Sequence, residues 1–94
     1  MPIAVSTLVH GGGPDLYARV DPHVRPPDNL PAGLLSHSAG AAPDGWRILE
    51  VWETREQWED FVANTLEPAL AEILGDEAPR TETVTYELHN YTAP

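Results

Sequence analysis

The sequence predicts an α+β fold of the ferredoxin-like kind, ordered β-α-β-β-α-β, with a four-stranded antiparallel sheet and both helices on one face. Three observations predict it. Gly45 to Leu74 reads as a strand running straight into an amphipathic helix. The strand part of that stretch is apolar on both of its alternating faces, so each side of the sheet needs a cover. The flanking segments supply a strand and a short helix before it, a hairpin partner, and a strand after it. Right-handed crossovers then place the first and third strands in the centre of the sheet.

The elements follow in order. Ile3 to Val9 alternates Ile3, Val5, Thr7 and Val9 against Ala4, Ser6 and Leu8, as a strand requires. Gly11-Gly12-Gly13 is a turn, and Pro14 suits the first position of a short helix through about Val20, with Leu16, Tyr17 and Val20 as its buried face. A triple glycine before a helix invites a phosphate-loop reading, but the Lys-Ser/Thr pair and the GxGxxG spacing are both missing. Asp21 to Gly33 holds four prolines and is read as an irregular connection lying over the sheet or at a pocket mouth. Leu34 to Ala39 is the second strand, Gly40 to Gly45 a turn, and the pair a hairpin.

In the third strand Trp46, Ile48 and Trp52 alternate with Arg47, Leu49, Val51 and Glu53. Thr54 and Gln57 have the spacing of a capping box, and Glu56, Glu59 and Asp60 suit the positive end of a helix dipole. Trp58, Phe61, Val62, Leu66, Ala69, Leu70 and Ile73 form one apolar stripe. Pro68 demands a kink, or a second segment with Pro68 in its first turn. Gly75 ends the helix, Asp76 to Arg80 is a loop, and Thr83 to Tyr91 is the last strand.

Ninety-four residues make a single domain, residues 1–94, with a small core that a partner subunit would help to close. Because the central strand is apolar on both sides and the helices cover only one, the bare face predicts a symmetric homodimer. The formal charge is −10, from fifteen acidic residues against five arginines and no lysine. That balance argues against nucleic acid and against an anionic membrane surface. No apolar run is long enough to cross a bilayer, and MPIAVSTLV lacks the basic lead and cleavage site of a signal peptide. A cytoplasmic protein is the expectation. Cysteine is absent, which removes disulfides, thiol catalysis and thiolate metal sites together.

Several stretches together resemble the dimeric α+β barrel superfamily, in particular the small proteins related to antibiotic biosynthesis monooxygenases. They are Met1 to Val5 with Gly11-Gly12, Leu34 to Gly40, Gly45-Trp46-Arg47, Val51 to Thr54, Leu66 to Leu70 and Leu88-His89-Asn90. The resemblance spans nearly the whole chain and implies a homodimer. The superfamily includes cofactor-free oxygenases of aromatic polyketides, polyketide cyclases, lactone isomerases, haem-degrading enzymes and members without known activity, so it narrows function only loosely. The haem-degrading members place a histidine ligand on the second helix. Arg55 to Leu74 contains no histidine, a departure that argues against that activity.

The four histidines carry the near-neutral titratable chemistry. If Gly40 pairs with Gly45, His37 opposes Ile48 and becomes a diagonal neighbour of Glu50, on the face of Trp46 and Trp52. His37 and Glu50 are therefore the candidate general acid/base pair. A one-residue slip would send His37 to the other face. Trp46, Trp52, Trp58, Phe61, Tyr17 and His89 are the candidate walls of a site for a flat ring. Each aromatic is equally suited to a small core, and a buried His–Glu pair can simply hold a sheet together. His10 and His23 read as turn and loop residues. No metal site is expected, since the histidines fall in four separate segments, and no cofactor is expected either. Two functions stay open: cofactor-free oxygenation or acid/base cyclisation or isomerisation of an aromatic or polyketide-like molecule in a homodimer, or a non-catalytic binding or structural homodimer.

Overall fold

The computed structural model describes residues 1–93. Strand β1 (Ile3–Val9) leads to helix α1 (Pro14–Val24), then to the hairpin of β2 (Leu34–Ala42) and β3 (Gly45–Trp52). Helix α2 (Arg55–Phe61) passes through a π-helical turn, Val62–Leu66, into α3 (Glu67–Ile73), and the chain ends on β4 (Thr81–Glu87). The sheet order is β2-β3-β1-β4, with every pair antiparallel, so β1 and β3 are central as the pattern requires.

The capping box forms on its first half: the Thr54 hydroxyl accepts the Gln57 backbone N–H at 3.1 Å. Pro68 sits in the first turn of α3, and the Glu67 N–H skips back five residues to the Val62 carbonyl. The wide π turn absorbs the hydrogen bond that a proline cannot donate. The kink expected at Pro68 is this turn.

Three boundaries differ from expectation, each for a physical reason. Helix α1 runs four residues beyond Val20, through Pro22. Burial of Val20 and Val24 one turn apart holds that last turn, and the Arg25 N–H closes it onto the Asp21 carbonyl at 2.8 Å. In the hairpin, Ala42 pairs with Gly45, so Pro43-Asp44 alone make the turn and the register moves two residues from that expected. A two-residue shift preserves the face of every side chain. Strand β4 starts at Thr81 and stops at Glu87, because its partner β1 spans Val9 to Ile3 and offers nothing beyond the Leu88 N–H to Pro2 carbonyl bond.

The core lies between sheet and helices, where Ile3, Val5 and Trp52 meet Val20, Val24, Phe61 and Leu74. The opposite sheet face carries Leu49 (47% exposed), Val84 (62%) and Tyr86 (50%), with Ser6 of β1 pairing both Leu49 and Val84. In the single chain this apolar row lies bare. No helix among the described residues is long and apolar enough to cross a membrane.

Gly33 joins the connection after α1 to the start of β2. Its φ is +90°, and a β-carbon there would lie 2.3 Å from Gln57 Oε1 and 2.9 Å from Gln57 Cβ. Its carbonyl accepts the Glu53 N–H at 2.7 Å, so the backbone cannot retreat without losing that bond. Gly33→Ala is expected to cost about 1–3 kcal/mol, the usual range for strain of this kind. The cost would be read as a lower urea midpoint at unchanged m-value. An unchanged midpoint would show that Gln57 and the turn relax freely.

Candidate active site

Tyr17 and Asp21 lie one turn apart on α1, and Arg25, the residue that caps its C-terminus, continues the four-residue spacing, so the three side chains share one side of the helix. That stripe faces the middle of the β2–β3 hairpin, where His37 and Glu50 are direct cross-strand partners on the helix-covered face. The two-residue register shift is what makes them opposite rather than diagonal. His37 Nδ1 and Glu50 Oε2 are 2.7 Å apart.

Glu50 is 4% exposed and Arg25 9%. A carboxylate this deep needs partners, and it has three: the His37 ring nitrogen, Arg25 Nε at 2.7 Å on the same oxygen, and Trp52 Nε1 at 3.2 Å on Oε1. Arg25 Nη1 also reaches Asp21 Oδ1 at 3.1 Å. Burial, the largest single influence, pushes the Glu50 carboxyl up, but the hydrogen bond from His37 and the charge and hydrogen bonds of Arg25 outweigh it and hold the group below the ordinary glutamate value.

The Tyr17 hydroxyl is hydrogen-bonded to His37 Nε2, and the two rings stack with centroids 5.9 Å apart and an interplanar angle of 8°. Burial, reinforced by the Asp21 carboxylate, pushes the Tyr17 hydroxyl up to about 12. Tyr17 therefore keeps its proton at neutral pH, and because the Glu50 carboxylate can only accept, the neutral imidazole that satisfies both contacts donates Nδ1–H to Glu50 and accepts the Tyr17 O–H at Nε2. The result is a chain of hydrogen bonds, Tyr17 to His37 to Glu50, anchored by Arg25. Asp21 Oδ1 stands 3.7 Å from His37 Nε2.

Tyr17 and Glu50 border a cavity of about 320 Å³ between sheet and helices. Its walls are mostly apolar: Trp46 and Ile48 from β3, Leu16 from α1, and Trp58, Leu66 and Leu70 from the kinked helical segment. The Trp46 ring stands 5.6 Å from that of Tyr17, tilted 49°. His37 does not border this cavity. It borders a second hollow beside it with Ser36, Leu35 and Leu30, and Asp21 and Arg25 line both. No cluster of three His, Asp or Glu side chains suited to a metal ion occurs among the described residues.

Of the residues singled out in the sequence, His37 and Glu50 meet, and Trp46, Trp58 and Tyr17 wall the cavity. Trp52, Phe61 and His89 do not. Trp52 is wholly buried and packs on Phe61 at 5.1 Å, because the sheet and α2 close together at that end of β3. Phe61 lies under the Arg25 guanidinium, 5.2 Å from ring centre to Cζ. Both back the ion pair instead of facing the cavity. His89 lies past the end of β4 and is exposed, since β1 has no further residues to pair it. Asp21 and Arg25 have only their four-residue spacing from Tyr17 as a signal in the sequence, and Pro22 with the prolines after it masks that spacing by reading as an irregular connection.

Because the folded Glu50 carboxyl is more acidic than an unfolded one, near pH 4.3, its network stabilises the fold above that pH. The contribution is lost as pH falls through the lower, folded value. Glu50→Gln is expected to destabilise the chain at pH 7 by about 3 kcal/mol, as breaking a buried pair does. The gap between variant and wild type should close in urea titrations below pH 4. A constant gap would place the cause in packing, not charge.

No family model matches the chain, and no curated protein matches it by sequence. Solved structures share its fold. A candidate antibiotic biosynthesis monooxygenase from Chloroflexus aurantiacus is 16% identical, covers 98% of this chain and 96% of its own, and superposes with a TM-score of 0.67. A variant of SnoaB, a cofactor-independent oxygenase from Streptomyces nogalater, is 13% identical with coverages of 96% and 94% and a TM-score of 0.64. A dimeric ferredoxin-like protein of unknown function from Jannaschia sp. CCS1 is 13% identical with coverages of 94% and 100% and a TM-score of 0.65. At such identities the likeness is one of fold, and at that level the resemblance read in the sequence holds.

Proposed function

We propose, from a fold shared with oxygenase-type proteins and from the site above, that this chain is a small-molecule enzyme acting on an aromatic or polyketide-like carbon acid. The observation that carries the reading is the Tyr17–His37–Glu50 chain ending on an apolar cavity. Tyr17 is the group that touches substrate. As its oxygen takes the substrate's proton, its own proton passes to His37 Nε2, and Glu50 holds the far side of the ring. The imidazolium so formed lies between Glu50 at 2.7 Å and Asp21 at 3.7 Å. The substrate is left as a carbanion, electron-rich enough to react with dioxygen, to close a ring on an internal electrophile, or to be reprotonated elsewhere. Trp46 and Trp58 hold the ring against the mostly apolar walls. The kinked helical segment has no histidine, so a haem-ligand role has no residue there to serve it.

The active form in this proposal is a homodimer. The bare row of Leu49, Val84 and Tyr86 meets its own copy across a twofold axis, giving the second cover that the sheet lacks. Sedimentation is expected to give twice the chain mass of 10.3 kDa, and a Leu49→Asp, Val84→Asp pair is expected to dissociate it. A wild-type monomer at micromolar concentration would overturn this part.

A second reading, a non-catalytic binding or structural homodimer, draws on the buried Arg25–Glu50 pair, which also ties α1 to the hairpin. Tyr17→Phe separates the two because it removes only a hydroxyl. With anthrone as an aromatic carbon acid, oxidation or exchange of its acidic hydrogen is expected to fall about 10²–10⁴-fold in Tyr17→Phe and in His37→Ala. The Tyr17→Phe melting temperature should stay close to that of wild type. Wild-type turnover no faster than the protein-free rate would leave the binding reading, and catalysed turnover equal in wild type and Tyr17→Phe would overturn the role of Tyr17.

A further inference from the structure

Charge, as well as shape, selects what the cavity can hold. The ionisable side chains on its walls are the carboxylates of Asp21, Glu50 and Glu67 against the single guanidinium of Arg25. Arg25 is committed by its Nε to Glu50 and by its Nη1 to Asp21, and its side chain is only 8% exposed. The other four arginines are engaged elsewhere: Arg19 with Glu77, Arg47 with Asp44, Arg55 with Thr85 and Arg80 with His10. None of these four borders the cavity, and the chain has no lysine. Tyr17, which meets the ligand, is a neutral donor and acceptor at physiological pH.

We infer that the cavity takes an uncharged, hydroxylated aromatic molecule and rejects the matching aromatic carboxylate, with the Asp21–Arg25–Glu50 cluster as the source of that selectivity. The inference rests on the enzyme reading above and deepens it by naming the ionisation state of the ligand. A carboxylate would meet an excess of negative charge beside the buried Glu50, and Arg25, the one cation on the cavity wall, is already held by Glu50 and Asp21. A neutral hydroxyl brings no such penalty, and its oxygen can hydrogen-bond with Tyr17, the first member of the proton chain. The same charge excess leaves room for a positive charge to form on His37, which lies within reach of two of the carboxylates.

The test is equilibrium dialysis of the wild-type protein at pH 7 with three probes of one ring size: naphthalene, 2-naphthol and 2-naphthoate. The chain lacks cysteine and lysine, so covalent capture by those side chains does not confuse the measurement. 2-Naphthol is expected to bind at least about tenfold more tightly than 2-naphthoate, with naphthalene between them. Asp21→Asn, which removes one carboxylate charge and leaves Arg25 Nη1 without its ionic partner, is expected to narrow the naphthol-to-naphthoate ratio at least about threefold. 2-Naphthoate binding as tightly as 2-naphthol would overturn the inference in the wild-type protein, whether or not the variant folds. A ratio unmoved in a folded Asp21→Asn protein would also overturn it, because the selectivity would then not come from this cluster. Failure of all three probes to bind would instead remove the aromatic-ligand reading of the cavity, and this inference with it.

Discussion

A carboxylate in the middle of a sheet, under a layer of helix, must find donors or lose its charge. Glu50 finds them from three directions: His37 across the hairpin, Trp52 two residues along its own strand, and Arg25 at the end of α1. Each donor belongs to a different part of the fold, so satisfying one buried group fixes the relation of helix to sheet. The hairpin register, the length of α1 past Pro22 and the inward turn of Trp52 all serve that one constraint. Without those donors the desolvation cost of the buried carboxylate would act against the fold itself.

The polar cluster divides the space under the helices into two unlike regions. Behind Glu50, the rings of Trp52 and Phe61 pack at 5.1 Å and form a closed apolar wall. In front of it, between the two aromatic side chains Tyr17 and Trp58, the layers stand apart and leave the cavity. The π turn at Val62–Leu66 belongs to this front region, and Val62 and Leu66 both line the cavity. A proline one residue into α3 thus does more than end a helix: it shapes the wall of the hollow opposite the proton chain. His37 sits at the seam, reaching the cavity through its partners Tyr17 and Glu50 and facing the second hollow directly.

The far side of the sheet has no polar network to organise it. Leu49, Val84 and Tyr86 form a row whose cross-strand neighbours are the small residues Ser6, Ser38 and Ala4, which leaves an apolar strip. One solved structure with this fold is described as dimeric, and its likeness extends over nearly the full chain. The two faces of the sheet therefore differ in kind: one holds a buried charge with its donors, the other leaves an apolar strip bare.

The alternation of apolar residues in Ile3–Val9 and Gly45–Trp52, the Thr54 cap and the Pro68 interruption sufficed to read the element order and the central strands, because periodicity and capping are local properties. The face shared by His37 and Glu50 was expected from the hairpin and survives its two-residue register change, which keeps every side chain on its face, whereas a one-residue slip would have parted them. Their direct pairing was not, because it depends on where the hairpin turns, and Pro43-Asp44 made a shorter turn than Gly40–Gly45 suggested. Asp21 and Arg25 were hidden by Pro22, whose local cost is outweighed by burial of Val20 and Val24, a gain that exists only once helix meets sheet. Which aromatics wall a cavity and which fill the core was likewise decided in three dimensions. Trp46, Trp52, Trp58 and Phe61 are all large and apolar, and only the spacing between packed layers determines which of them faces a void.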